Sequence, residues 1–183
     1  MSRARVTILF TGKKKRNKGF TLIELSVVLF IIVLITGIVI PNFSFFKRER
    51  LSAIARNLGG FLKGIRTEAM FSNYPVRAVF NFSDKKIKAE ICKPVSEGIC
   101  EWGQLGKMEF KIPKSVSIED ISVYGDKVVS GELYLPFSHS GATPPVDIHL
   151  KMGEEKITVS LNPATGEVRI IEGYNETFEI QSE

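Results

Sequence analysis

One carboxylate in this sequence stands where water is scarce. Glu24 lies in an apolar run from Leu22 to Ile40, nineteen residues in which it is the only charge. A helix of that length rises ~28 Å, against a bilayer core of ~30 Å. The run therefore reads as a membrane span with an acid at its entrance, and an ionisable group there calls for a partner of opposite sign. The chain holds none at that depth, because Lys18 lies on the polar side of Gly19. A cut between Gly19 and Phe20 would create one, a free ammonium on Phe20. On a straight helix Phe20 and Glu24 are neighbours at i and i+4. The ammonium could equally belong to an adjacent subunit, and the pairing would then drive and register assembly. A glutamate that snorkels to the headgroups is the competing reading.

Other residues offer less chemistry. Cys92 and Cys100 flank a short stretch containing Pro94 and Gly98. In an exported chain such a pair reads as a disulfide, worth about 2–3 kcal/mol in the chain-entropy account; free buried thiols are the alternative. Two cysteines without a nearby histidine make no zinc site, since structural zinc takes four ligands. His139 and His149 are the only histidines. Asp147 and His149 share a face of an expected strand, yet no serine or cysteine sits in a nucleophile elbow, so both histidines read as turn or surface residues. Glu154 and Glu155 read as a solvated turn. No phosphate loop is present. Catalytic residues, metal ligands, cofactors and a small-molecule substrate are all expected to be absent, and the chain does not read as an enzyme.

The elements that position Glu24 follow from charge. The chain has 183 residues and a formal charge of +5. Arg3, Arg5, Lys13, Lys14, Lys15, Arg16 and Lys18 put seven positives and no acid into residues 1–19, leaving 18 Lys and Arg against 20 Asp and Glu beyond. The remainder thus carries about −2, and the basic character belongs to the leader. Positive charge beside a span keeps that side cytoplasmic and sends the rest across. A secretory signal peptide would have a shorter apolar core and a small-x-small site. Pro41-Asn42-Phe43-Ser44-Phe45-Phe46 offers none, so the segment is expected to be retained. Gly37 and Pro41 interrupt the run. Proline cannot donate to the carbonyl of Gly37 and crowds it, which predicts a kink or extensible point; a tolerated membrane proline is the alternative.

Beyond Lys47-Arg48-Glu49-Arg50, the residues Leu51, Ile54, Ala55, Leu58, Phe61, Leu62, Ile65 and Ala69 recur at helical spacing. The expectation is one helix over 21–71, ~75 Å long, whose second part packs on a sheet. Gly59, Gly60 and Gly64 each cost about 1 kcal/mol relative to alanine, so this part needs tertiary support. Asn73-Tyr74-Pro75 ends it. Strands are expected at 76–82 and 86–92 with a Ser83-Asp84-Lys85 turn, at 108–112 and 116–123, then at 133–137, 146–151, 157–161 and 167–171. Residues 172–183 read as a loose polar tail. The fold class is α+β: a long N-terminal helix on a β-rich C-terminal domain. The divisions are a leader over 1–19, a transmembrane and assembly helix over 20–41, an amphipathic continuation over 42–73 and a β-rich domain over 74–183.

Lys18-Gly19-Phe20-Thr21-Leu22-Ile23-Glu24, between a basic leader and an apolar helix, resembles the processing site of type IV pilin-like proteins. The resemblance implies that a prepilin peptidase cuts after Gly19 and N-methylates Phe20, and that Glu24 meets the amino terminus of the adjacent subunit. It also implies a helix that can lose helicity between Gly37 and Pro41 in a filament. Leu135-Pro136-Phe137-Ser138-His139-Ser140-Gly141, followed by Val159-Ser160 and Gly166-Glu167-Val168, resembles the ending of the GspH/FimT family of minor pilins and pseudopilins. Implied partners are the prepilin peptidase, other pilin or pseudopilin subunits, an inner-membrane assembly platform and membrane lipid. The implied location is a bacterial inner membrane, single-pass, with the C-terminal domain periplasmic. A type II secretion pseudopilin is the first reading, a minor type IV pilin the second, and a membrane-anchored enzyme or sensor a distant third. Some FimT-like members take up DNA through a Gly-Arg-x-Arg pattern. Here Glu167 replaces the first arginine of Gly166-Glu167-Val168-Arg169. Since DNA affinity comes largely from neutralising phosphates, DNA is not an expected partner. Lys85, Lys86 and Lys88 read as a solvated hairpin tip.

Overall fold

A computed structural model describes residues 19–39, 43–96 and 98–177. The chain divides into two compact units after Pro41. In the first, α1 runs over Leu22–Val39. Thr21 caps it: its Oγ1 accepts from the amide of Glu24 at 3.2 Å, and its carbonyl accepts the first helical bond from Leu25. Every described side chain of α1 is exposed. A helix that is apolar all round is built for an apolar surround rather than for one packed face.

The second unit begins with α2, Phe43–Phe71. The helix expected over 21–71 is described in two parts, α1 and α2, with residues 40–42 outside the described set. Leu51, Ala55, Leu58, Leu62, Ile65 and Ala69 form a stripe at alternating steps of four and three, each at most 1% exposed. Burying a leucine or isoleucine this fully is worth about 1.5–3 kcal/mol, and these residues offset the cost of the three glycines. Gly59 has a packing role: a Cβ there would lie 2.8 Å from Cγ1 of Val168.

The stripe joins one core with two antiparallel sheets. The first has the order β3-β2-β1-β6 and is built from β1 Val76–Asn81, β2 Lys86–Ser96, β3 Ile99–Lys111 and β6 Glu132–Phe137. The second, in the order β5-β4-β7-β8-β9, contains β4 Ser117–Val123, β5 Asp126–Val128, β7 Val146–Met152, β8 Glu155–Leu161 and β9 Val168–Glu172. β1 pairs with both β2 and β6, Val76 lying opposite Ile91 on one side and Phe137 on the other. A bulge between Ile118 and Asp120 shifts the register of β4 against β7. It explains why the apolar positions there run 116, 118, 121, 123 with one step of three, since an inserted residue changes the face. β5 and the first half of β3 are not among the expected strands: β5 has three residues, and residues 99–104 of β3 are exposed without alternation.

Candidate functional site

The start of α1 holds the residues that the sequence marks for chemistry. Gly19 and Phe20 lie outside the helix and are exposed. Thr21 takes the cap, so Phe20 precedes the helix and does not stand above Glu24 in a helical turn. Thr21-Leu22-Ile23-Glu24 also has the pattern of a capping box, and an acid in the first turn interacts favourably with the helix dipole. These are two local reasons for Glu24 beyond those its apolar setting suggests. Among the described residues no cation pairs with its carboxylate. Gly37 lies in α1 with nothing within 4 Å of the place a Cβ would take. Pro41 and the basic leader to Lys18 fall outside the described residues.

Among the described residues no helix is long and apolar enough to cross a membrane. The 18 residues of α1 rise ~27 Å, short of a ~30 Å bilayer core, and Ile40, the last residue of the apolar run, lies outside the described set.

Cys92 and Cys100 are joined by a disulfide with a Cα separation of 5.4 Å. Cys92 is buried and Cys100 exposed, so the bond ties the exposed ends of β2 and β3 to the core. On the outer face of the same sheet Arg77 lies between the rings of Trp102 and Tyr134, 3.9 and 4.3 Å from their centroids. Its guanidinium also pairs with Glu90 at 2.7 Å.

The motif glycines near the C-terminus hold one side chain. Gly141 and Gly166 have φ of +78° and +61°, conformations that glycine adopts freely. A Cβ on either would strike Arg66. Arg66 lies between the two turns and donates from Nε to the Gly141 carbonyl at 2.9 Å, while Thr143 N bonds the Pro163 carbonyl and links the turns directly. By helical spacing alone Arg66 reads as a residue of the polar face of α2. The glycine spacing is the signal that could have found it: two turns that admit no side chain must be making room for one. Glu167 pairs with Arg169 at 3.6 Å, so the arginine of the Gly-x-x-Arg stretch sits beside an acid. Lys85 is not a solvated tip. It adopts φ +52° and gives its Nζ to the Val116 carbonyl at 3.1 Å.

Two expectations fail at the second sheet. His139 lies exposed in a turn, but His149 is 1% exposed. Residues 173–177, expected to be loose, are fastened across β8 and β7: Gly173 N bonds the Lys156 carbonyl, Asn175 N bonds Oγ1 of Thr158, and Thr177 N bonds Oδ2 of Asp147 at 2.6 Å. The reason is pairing. Asp120, Asp147, His149 and Thr158 are buried, and this segment exchanges hydrogen bonds with each of them, as buried polar groups require, although Oδ1 of Asp147 keeps no partner among the described residues. Residues 178–183 lie outside the described set. Nearby, Lys156 donates to Glu119 at 2.8 Å and holds that carboxyl below its ordinary range, and Glu172, paired with Arg48, is lowered in the same way.

An apolar helix headed by Gly-Phe-Thr-Leu-Ile-Glu is followed in the chain by a unit in which a second helix packs on two antiparallel sheets, an α+β fold of the kind seen in pseudopilin structures. Residues 14–40 match the family pattern described as the prokaryotic N-terminal methylation motif. More particularly, the fold is similar to that of the minor pseudopilin EPSH from the type II secretion system of Vibrio cholerae, with 13% identity over 70% of this chain and 99% of that one, at a TM-score of 0.51. A second structure of EpsH from the same organism aligns at 13% identity over 67% of this chain and 96% of that one, at a TM-score of 0.49. The likeness is one of fold. No curated protein matches the sequence.

Proposed function

We propose that this protein is a minor pseudopilin, a structural subunit of a type II secretion pseudopilus. The observation that carries the reading is the methylation motif over residues 14–40, placed at the head of a helix that is apolar and exposed all round. A prepilin peptidase cuts after Gly19 and methylates Phe20. The new ammonium of one subunit then neutralises Glu24 of its neighbour as α1 helices bundle. Gly37, with open space around it, allows close approach, as small residues do at membrane helix interfaces. Before assembly α1 anchors the chain in the inner membrane with the β unit on the far side; afterwards it leaves the bilayer for the filament. Arg66, the turn glycines and the Cys92–Cys100 disulfide shape the β unit and take no part in chemistry. The pseudopilus reading draws on the pseudopilin-like fold and on Glu167, which stands where DNA-binding relatives of this type carry an arginine.

The test is the intact mass of the protein recovered from its native membrane. A chain beginning at Phe20 and carrying one added methyl group supports the proposal. A functional apparatus whose subunits retain residues 1–19 overturns it.

A further inference from the structure

His149 lies in β7 with both ring nitrogens facing acceptors. Nε2 is 2.8 Å from the carbonyl oxygen of Asn175, and Nδ1 is 2.7 Å from Oδ1 of Asp120. A backbone carbonyl only accepts, so Nε2 carries a hydrogen. An ionised carboxylate also only accepts, so a hydrogen must lie between Nδ1 and Asp120 as well. A neutral imidazole has one hydrogen on nitrogen, not two. Without the second, lone pairs would face each other at hydrogen-bond distance inside the protein, the situation that buried polar groups avoid. His149 and Asp120 together therefore hold one proton more than a neutral histidine and an ionised aspartate.

The surroundings fit that extra proton. Tyr174 donates its hydroxyl to Oδ2 of Asp120 at 3.1 Å, and burial pushes this phenol up, so it keeps the hydrogen it donates. The Tyr174 ring stacks on the imidazole with centroids 3.8 Å apart and planes at 14°, and a cation over a tyrosine face is attracted to it. Of the other charged groups around the ring, Asp147 on β7, Glu119 on β4 and Glu176 on the segment itself favour a cation. Lys156 on β8, Lys151 on β7 and Lys127 on β5 oppose it. Lys156 and Lys127 are engaged by Glu119 and Glu176 respectively.

We propose that residues 173–177 form a proton-held latch: they stay docked on the polar face of β4, β7 and β8 while His149 and Asp120 share the extra proton. Three of its fastenings meet at that pair, namely the Asn175 carbonyl, the Tyr174 hydroxyl and the Tyr174 ring. Loss of the proton turns the first into a repulsion. Opening then exposes Thr158 and Asp147, whose bonds to Asn175 N and Thr177 N go with the segment. Because the docked state holds a proton that the open one does not require, opening grows as pH rises. The device does not depend on the role proposed for α1.

The full chain in detergent micelles provides the test, with the exposed His139 as an internal reference. Ring-nitrogen chemical shifts are followed between pH ~6 and ~9, a range that brackets the ordinary imidazole value of ~6.5. His149 is expected to show both nitrogens protonated for as long as the segment stays docked. In parallel, chymotrypsin cleavage after Tyr174 is compared with that of Asp120→Asn at each pH. The amide of that variant can donate to Nδ1, so a neutral imidazole satisfies both ends and the latch loses its proton requirement. The cleavage rate of the unaltered chain relative to the variant should rise about tenfold or more across the range, since one linked proton gives up to tenfold per pH unit. A His149 ring with one unprotonated nitrogen while the segment is docked, or a cleavage ratio that stays flat, overturns the proposal. The nitrogen shifts of the unaltered chain decide it even if the variant fails to fold.

Discussion

The two helices of this protein share a backbone geometry and differ in where their apolar surface goes. α1 is apolar on every side, and its described side chains all remain exposed. α2 is apolar along one stripe, and that stripe is buried to within 1%. Their nearby acids repeat the contrast. The carboxylate of Glu24 has no cationic partner among the described residues, while Glu119, in the unit that α2 belongs to, accepts from Lys156 at 2.8 Å. The acid in the second unit thus finds its cation within the same unit. Among the described residues α1 leaves its apolar side chains exposed and its one carboxylate without a cation, the half of an interface that the proposed assembly would complete.

The sharpest way to break this comparison is Glu24→Gln. Glutamine keeps the capping-box role but removes the charge. If the acid serves a neighbour's ammonium, assembly should fall by ~3–5 kcal/mol per subunit, the usual cost of removing one partner of a buried pair. Membrane insertion should be unchanged. Recovery of assembled filaments against membrane-fractionated protein measures both, and normal assembly would reduce Glu24 to a helix cap.

Next in size is a matched pair of truncations in full chain held in micelles. Leu62→Ala should destabilise the second unit by about 2–5 kcal/mol. Leu29→Ala in α1 should leave the second unit's unfolding free energy in urea within ~0.5 kcal/mol of the unaltered chain. Fluorescence of Trp102, the one tryptophan, reports the unfolding. Equal losses would mean that α1 belongs to the same core.

The adjacent glycines of α2 allow a finer cut. Gly60 has nothing within 4 Å of the place a Cβ would take, so Gly60→Ala should stabilise by up to ~1 kcal/mol through helix propensity. Gly59→Ala meets Val168, a stiff β-branched side chain, and should destabilise by about 1–3 kcal/mol as an overpacked contact. The same denaturation experiment distinguishes the two signs.

The smallest effect belongs to Glu119. Its carboxyl is held below the ordinary range, chiefly by the hydrogen bond from Lys156. Its contribution is therefore present above the unfolded carboxylate value of ~4.3 and lost as pH falls through the lower folded value. Glu119→Gln should cost less than ~1 kcal/mol at neutral pH, and the difference from the unaltered chain should vanish in acid. A difference that persists in acid would place the contribution in packing and not in charge.

The apolar run, its acid and the Gly-Phe junction were legible from residue order alone, because solvent preference over nineteen consecutive residues needs no tertiary partner to be read. So were the stripe of α2 and most strands, where alternation records which side faces oil. Only the tertiary structure decided the fate of His149, Arg66 and residues 173–177. A polar side chain is buried when something distant meets its hydrogen bonds, and those partners stand far off in sequence: Asn175 for His149, Asp120 for Tyr174, Gly141 for Arg66. Hydrophobicity is a property that a residue carries with it, whereas satisfaction of a buried donor or acceptor exists only once the chain has brought two separated positions together.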